Sequence, residues 1–173
     1  MNLRKALLVG ALALLPLVVF AKVEVGQAAP DFTLTSQDGN QVSLSQFKGH
    51  WVVLYFYPKD FTSGCTMEAH KFQDDQDKYK ALDAAIVGVS VDTADSHKQF
   101  CTKEGLTFKL LADPSGKVPE TYDSVMDYQG SKYAARHTFL IDPSGKIVKT
   151  YMKVDPKVHS DEVLADLKTL EKK

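Results

Sequence analysis

The sequence predicts a mixed-sheet α/β domain with helices on both faces, and three observations carry that prediction. Two continuous apolar runs, WVVLYFYP at 51–58 and AAIVGVSV at 84–91, have the length and β-branched content of strands buried on both faces. Each is followed by a charged stretch with apolar residues at helical spacing, and strand, helix, strand, helix implies parallel pairing through right-handed crossovers. Alternating stretches around tight turns, at 32–44 and 137–154, add antiparallel hairpins. At 173 residues, with 44% hydrophobic and 25% charged side chains, the chain suits one globular domain and is too short for two of full size.

Residues 1–21, MNLRKALLVGALALLPLVVFA, place Arg4 and Lys5 before an apolar run from Ala6 to Phe20 and end on small or branched residues at Val19 and Ala21. This is the layout of a secretory signal cleaved after Ala21. A spanning helix needs about 20 apolar residues, and this run is shorter and contains Pro16. The expected domain is therefore 22–173, exported to an oxidising compartment, the periplasm in a bacterium. No cysteine stands near the cut to carry a lipid.

Within the domain, Phe32–Leu34 and Val42–Leu44 flank Asp38–Gly39, an edge-hairpin signal. The strand at 51–58 stops at Pro58 and the loop KDFTSG follows. A helix is predicted over 65–82, with Ala69, Phe72, Tyr79 and Leu82 on one face. After the strand at 84–91, a helix over 92–105 has Asp92 or Thr93 as its cap and Gly105 as its stop. A short strand around Phe108–Leu111, a helix near Val118–Tyr122, the hairpin at 137–154 and a helix over Ser160–Leu170 complete the chain. The pentapeptide DPSGK occurs at 113–117 and at 142–146, but its surroundings do not repeat, so it reads as two independent type I turns.

Residues 1–21 hold two bases and no acid, which leaves 19 basic and 22 acidic residues, a net charge of −3, over 22–173. That balance argues against nucleic acid or an anionic membrane as the main partner, since both attract clustered positive charge. Two cysteines, Cys65 and Cys101, exclude a disulfide-rich scaffold. They leave one disulfide, two free thiols, or alternation between these states.

Cys65 follows a strand end and a turn. With Thr62 as the cap it occupies the third helical position, where free backbone N–H groups and the positive helix end favour a thiolate. A half-buried structural cysteine fits the same position. A thioredoxin-like oxidoreductase would want Cys-x-x-Cys, but Glu68 stands at the fourth place. His50, His70, His97, His137 and His159 are too dispersed for a metal carrier and read as surface or core residues. Glu68 either holds the loop through a hydrogen bond or complements the helix dipole. Tyr55, Phe56 and Tyr57 read as core and pocket wall, and Trp51 as packing at a strand end.

The stretch YFYPKDFTSGCTMEA, 55–69, resembles the active-site loop of the peroxiredoxins, Pro-x-x-x-Thr-x-x-Cys, here Pro58, Thr62 and Cys65. YFYPKD followed by GCTxEA is similar to the PrxQ, or bacterioferritin comigratory protein, subfamily. GQAAPDFTL at the start of the domain and RHTFLID, which with Arg136 resembles the family's arginine-bearing strand, match as well, so the resemblance spans nearly all of 22–173. Phe61 and Ser63 depart from the Asp and Pro usual in that loop.

The resemblance implies a thioredoxin-like fold and a monomeric, antioxidant thiol peroxidase acting on hydrogen peroxide and organic hydroperoxides, with no metal or organic cofactor. It makes Cys65 the peroxidatic nucleophile, Thr62 a hydrogen-bonding partner of the peroxide, Arg136 the fixed cation and Pro58 a shield against water. Many subfamily members carry a resolving cysteine five positions after the first, where this chain has His70. Others carry it on a later helix, which makes Cys101 the resolving thiol, recycled by a thioredoxin-like dithiol. A non-catalytic thioredoxin-fold binding module with a structural disulfide is the alternative.

Overall fold

The computed structural model describes residues 23–171, so the leader expected over 1–21 lies outside the described residues. In chain order, β1 (Thr33–Ser36) and β2 (Gln41–Ser43) form the N-terminal hairpin, Thr33 opposite Ser43. A single 3₁₀ turn, Leu44–Phe47, leads into β3 (Trp51–Phe56), α1 (Ser63–Asp74), α2 (Gln76–Ala81), β4 (Ala84–Ser90) and α3 (Ala94–Glu104). β5 (Lys109–Ala112), α4 (Lys117–Thr121) and a small separate hairpin of β6 (Val125–Tyr128) and β7 (Ser131–Ala134) follow. β8 (His137–Ile141), β9 (Ile147–Tyr151) and α5 (His159–Leu170) close the chain.

The main sheet runs β2-β1-β5-β4-β3-β8-β9. β3, β4 and β5 are parallel, as two buried strands with helical crossovers require, while β8, β9 and β1 join antiparallel. The N-terminal hairpin is thus an edge of the same sheet, tied to β5 by Thr35 opposite Ala112.

Period-two alternation divides the core. Val53, Tyr55 and Tyr57 face one side with α1, α2, α3 and α5, whereas Val52, Leu54 and Phe56 face the other with Tyr122 and Val118 beside α4. Phe56 therefore lines no pocket near Cys65. Trp51 packs partly buried at the start of β3, as expected. Gly88 lies beside Tyr55 in the ladder, and a Cβ there would stand 2.6 Å from Leu110 and 2.7 Å from Tyr55, so only glycine lets that ring lie flat on the sheet.

Three local differences from the sequence reading have physical causes. The helix expected over 65–82 starts at Ser63 and breaks at Asp75, whose φ of −94° and ψ of 2° leave helical geometry. Ser160 on α5 donates to the Asp75 carboxylate at 2.7 Å, and Tyr79 donates to the Ser160 carbonyl at 2.9 Å. The break lets both side chains reach the same turn of α5. The β6–β7 hairpin has an exposed, weakly alternating pattern, and Gln129 and Gly130 at positive φ make its turn. Arg136 lies in the bend before β8 instead of on a strand. The α3 expectations hold, since Thr93 caps it by accepting from the Ser96 N–H at 3.2 Å and Gly105 ends it at φ 68°.

Candidate active site

β3 ends at Phe56, and the turn through Pro58 and Asp60 delivers the chain to Thr62, the N-cap of α1. Thr66 N–H donates to Thr62 O at 2.9 Å, closing the first helical turn, so the N–H groups of Ser63, Gly64 and Cys65 precede any intrahelical bond. Cys65 is the third helical residue and only 2% exposed. Its sulfur therefore sits where the helix end is positive and water is excluded.

Arg136 supplies the second charge. Its Nη2 donates to Cys65 Sγ at 3.2 Å across 71 residues of sequence, and its Nη1 donates to Glu68 Oε2. Burial works against the guanidinium charge, but Glu68 and Cys65 outweigh it and hold Arg136 firmly protonated. Glu68, one turn beyond Cys65, is 1% exposed, and its burial raises the carboxyl to about 7 even with Arg136 beside it. Of the two roles open for Glu68 in the sequence, the structure shows a third: it grips the arginine that grips the thiol.

Gly64 makes this approach possible. A Cβ there would lie 3.3 Å from Arg136 Nη2 and 3.9 Å from Pro156, closer than the guanidinium tolerates without moving. Thr62 occupies the cap position, but its hydroxyl donates to Lys59 O at 3.0 Å instead of capping the helix. With its proton so engaged, the oxygen can only accept from an incoming O–H. Pro58 is half-buried in the turn, two residues after the end of β3.

Cys101 sits on α3 in the same apolar cluster as Cys65, and both are free thiols. Among the described residues no cation donates to it as Arg136 does to Cys65, and burial, with the charges of Asp60 and Asp38 adding, pushes its thiol up to about 12. The structure thus brings Cys65 and Arg136 together just after the Thr62 cap, with Pro58 in the turn before it, and keeps Cys101 on a separate helix. α1 packs on α5, whereas α3 packs on β5 and β1.

Phe61, which departs from the usual Asp, has φ 61°. That left-handed conformation costs a non-glycine residue roughly 1–2 kcal/mol, less for Asp, whose short side chain bonds locally. Its ring packs on Phe100 of α3 with centroids 5.1 Å apart, and Lys103 stands 5.5 Å above it. The sequence reading missed Glu68 and Gly64 as partners of Arg136, and no local spacing signals them. Among the described residues no group of three or more His, Cys, Asp or Glu side chains could hold a metal ion. No helix among them is long and apolar enough to cross a membrane.

A buried sulfur at a helix start, contacted by a fixed cation, equips a protein for thiol-dependent redox chemistry, and the surrounding sheet sets that chemistry in a thioredoxin-like fold. The AhpC/TSA family matches residues 25–150. Peroxiredoxin Bcp of Bacillus subtilis is 43% identical over 155 residues, covering 87% of this chain and 99% of that protein. The chloroplastic peroxiredoxin Q of Populus jackii is 43% identical over 152 residues, 88% of this chain and 71% of the relative. A crystal structure of a PrxQ mutant from Xylella fastidiosa superposes with a TM-score of 0.82 at 31% identity, over 87% of this chain and 98% of that one. The chain belongs to the AhpC/TSA family and, within it, to the peroxiredoxins of the Bcp/PrxQ kind, which are thiol peroxidases.

Proposed function

We propose that the chain is an exported peroxidase in which Cys65 reduces hydrogen peroxide and organic hydroperoxides and Cys101 resolves the product. The single observation that carries this reading is the 3.2 Å contact between Arg136 Nη2 and Cys65 Sγ at the start of α1. The Cys65 thiolate attacks one peroxide oxygen, so an S–O bond forms as the O–O bond breaks. Sulfur is oxidised to the sulfenic acid, and the second oxygen leaves as hydroxide or alkoxide to be protonated. Thr62 Oγ1 accepts the peroxide O–H, and Arg136 and the free helix N–H groups stabilise the charge that grows on the leaving oxygen. Pro58 shields the sulfur from water.

Cys101 then attacks Cys65 Sγ, expelling the sulfenic oxygen as water and forming a disulfide that a thioredoxin-like dithiol reduces by exchange. A disulfide requires Cα atoms roughly 4.4–6.8 Å apart, and each cysteine lies inside a formed helix, so local unwinding accompanies this step. Organic hydroperoxides are supported by the alkyl peroxide reduction activity of the bacterioferritin comigratory protein of Xanthomonas campestris, which superposes with a TM-score of 0.79 at 35% identity, over 86% of this chain and 98% of that one. Export is supported by the charge and hydropathy pattern of residues 1–21, monomeric state and dithiol recycling by the resemblance.

One equivalent of hydrogen peroxide added to the reduced protein tests the chemistry. Rapid thiol loss and a Cys65–Cys101 disulfide are expected, with Cys65→Ser abolishing the reaction and Cys101→Ser stopping at a Cys65 sulfenic acid. Oxidation no faster than that of free cysteine, or no effect of Cys65→Ser, would overturn it. Mass spectrometry of exported protein should find an N-terminus near Lys22.

A further inference from the structure

Beside the reacting groups lies a second buried polar cluster that peroxide chemistry does not use. Asp60, in the turn two residues before Thr62, is 4% exposed. Its carboxylate accepts from Tyr57 Oη at 2.8 Å, from Ser96 Oγ at 2.7 Å and from His97 Nδ1 at 2.9 Å. Burial alone would push this carboxyl up, but the bonds from His97, Ser96 and Tyr57 outweigh it and hold it below the ordinary range. Asp60 is thus a carboxylate, and Nδ1 of His97 carries the proton between them. His97 is completely buried, and its Nε2 has no hydrogen-bond partner among the described residues, so the ring is anchored through Asp60 and a longer Nδ1 contact to Tyr57 at 3.3 Å.

The position of this pair on the chain gives it meaning. Asp60 and Phe61 belong to the turn that carries Thr62 and Cys65, whereas Ser96, His97 and Phe100 belong to α3, with His97 one helical turn ahead of Cys101. The backbone N–H of Asp60 also donates to Asp92, just before α3, at 3.0 Å. Apart from the Tyr57–Asp60 bond, these contacts join the Cys65 turn to the Cys101 helix or to the residues that lead into it.

We propose that Asp60 and His97 are positioning residues that form a latch between the two cysteine-bearing elements, and that its release gates the Cys65–Cys101 exchange. While closed, the latch holds Thr62 and Cys65 in register for peroxide and keeps Cys101 in its apolar site. There Cys101 stays a thiol, and a thiol is a poor nucleophile. Opening frees α3 to unwind and lets Cys101 ionise nearer its ordinary value. Weakening the latch should raise the small open fraction several-fold while the closed, peroxide-reactive fraction stays close to one. Exchange would accelerate and sulfenic acid formation would hardly change, a split that a general loss of stability would not produce.

The proposal rests on the Cys65–Cys101 exchange proposed above, and two readouts keep the ideas apart. Hydrogen exchange on the reduced protein reads opening directly. In His97→Leu, which fills space but donates nothing, the amides of 59–64 and of α3 should exchange at least fivefold faster, with β3 and β4 within twofold of the parent. His97→Asn, whose side-chain N–H can take the place of Nδ1, should restore the parent pattern. Rapid-quench mass spectrometry after hydrogen peroxide should then show the Cys65 sulfenic acid of His97→Leu converting to disulfide at least fivefold faster, with its formation changed less than twofold. Ser96→Ala, which removes one bond to Asp60, should act in the same direction by two- to threefold, and it serves if His97→Leu does not fold. If the disulfide forms but its rate is unchanged in these variants, or if His97→Asn behaves as His97→Leu does, the latch falls and the peroxidase reading stands. If the parent protein forms no Cys65–Cys101 disulfide, the resolving role of Cys101 falls and the gating falls with it.

Discussion

The two cysteines lie in one apolar cluster and are buried almost equally, 2% exposed for Cys65 and 8% for Cys101. Their surroundings differ in charge. Cys65 has a guanidinium at 3.2 Å and the open end of a helix, whereas Cys101 lies well inside α3, where burial and two nearby carboxylates oppose ionisation. Reactivity in this fold is therefore assigned by what touches the sulfur, and exposure alone would not separate the two thiols.

The largest effect should come from making the first region resemble the second. Arg136→Leu removes the only side chain among the described residues that donates to Cys65 and leaves Glu68 buried without its partner, and the rate with hydrogen peroxide should fall by roughly 10²–10³, as for loss of one oxyanion donor. Arg136→Lys should recover only part of that loss, since an ammonium cannot hold Glu68 and the sulfur in one planar fork. Stopped-flow kinetics on the reduced proteins would check both, and an unchanged rate would erase the distinction between the regions.

A second test concerns the cost of burying ionisable groups around Arg136. Glu68 titrates near 7 folded against 4.5 ordinarily, so the folded state holds a proton that the unfolded state has released, and stability falls as pH rises through 4.5–7. His159 is held down to about 4 by burial and the charge of Arg136, so the unfolded state takes up a proton first and stability rises with pH across 4–6.5. The two slopes oppose each other, each amounting to at most about 3 kcal/mol. Urea melts between pH 4 and 7 should show Glu68→Gln gaining stability with pH more steeply than the parent, and His159→Asn gaining less.

Much of the frame is legible in the residues because it depends on local pattern. The runs at 51–58 and 84–91, the Thr93 cap and the Gly105 stop all act within a few positions, and the structure keeps them. Thr62 and Cys65 belong to that local class, since the start of a helix decides both. The break at Asp75 escapes it because Ser160, 85 residues away, supplies the reason. Glu68 with Arg136 and Asp60 with His97 meet at sequence separations of 68 and 37, so no spacing rule joins them. Phe56 is core as expected, but the face it takes is not legible, because a strand buried on both faces gives no amphipathic sign of which residues look which way.

The smallest effect sharpens the comparison without breaking it. Gly64→Ala should displace the guanidinium by a few tenths of an ångström and slow the peroxide step roughly two- to fivefold, since catalysis falls steeply with misplacement. The same kinetic assay reads it, with stability measured alongside to show that the fold is intact.

The most direct measurement asks which sulfur the peroxide meets. The reduced protein would be treated with less than one equivalent of hydrogen peroxide in the presence of a sulfenic-acid trap, and the label located by mass spectrometry. The charge asymmetry around the two thiols predicts label on Cys65 and none on Cys101, and label shared between them or found on Cys101 would contradict it.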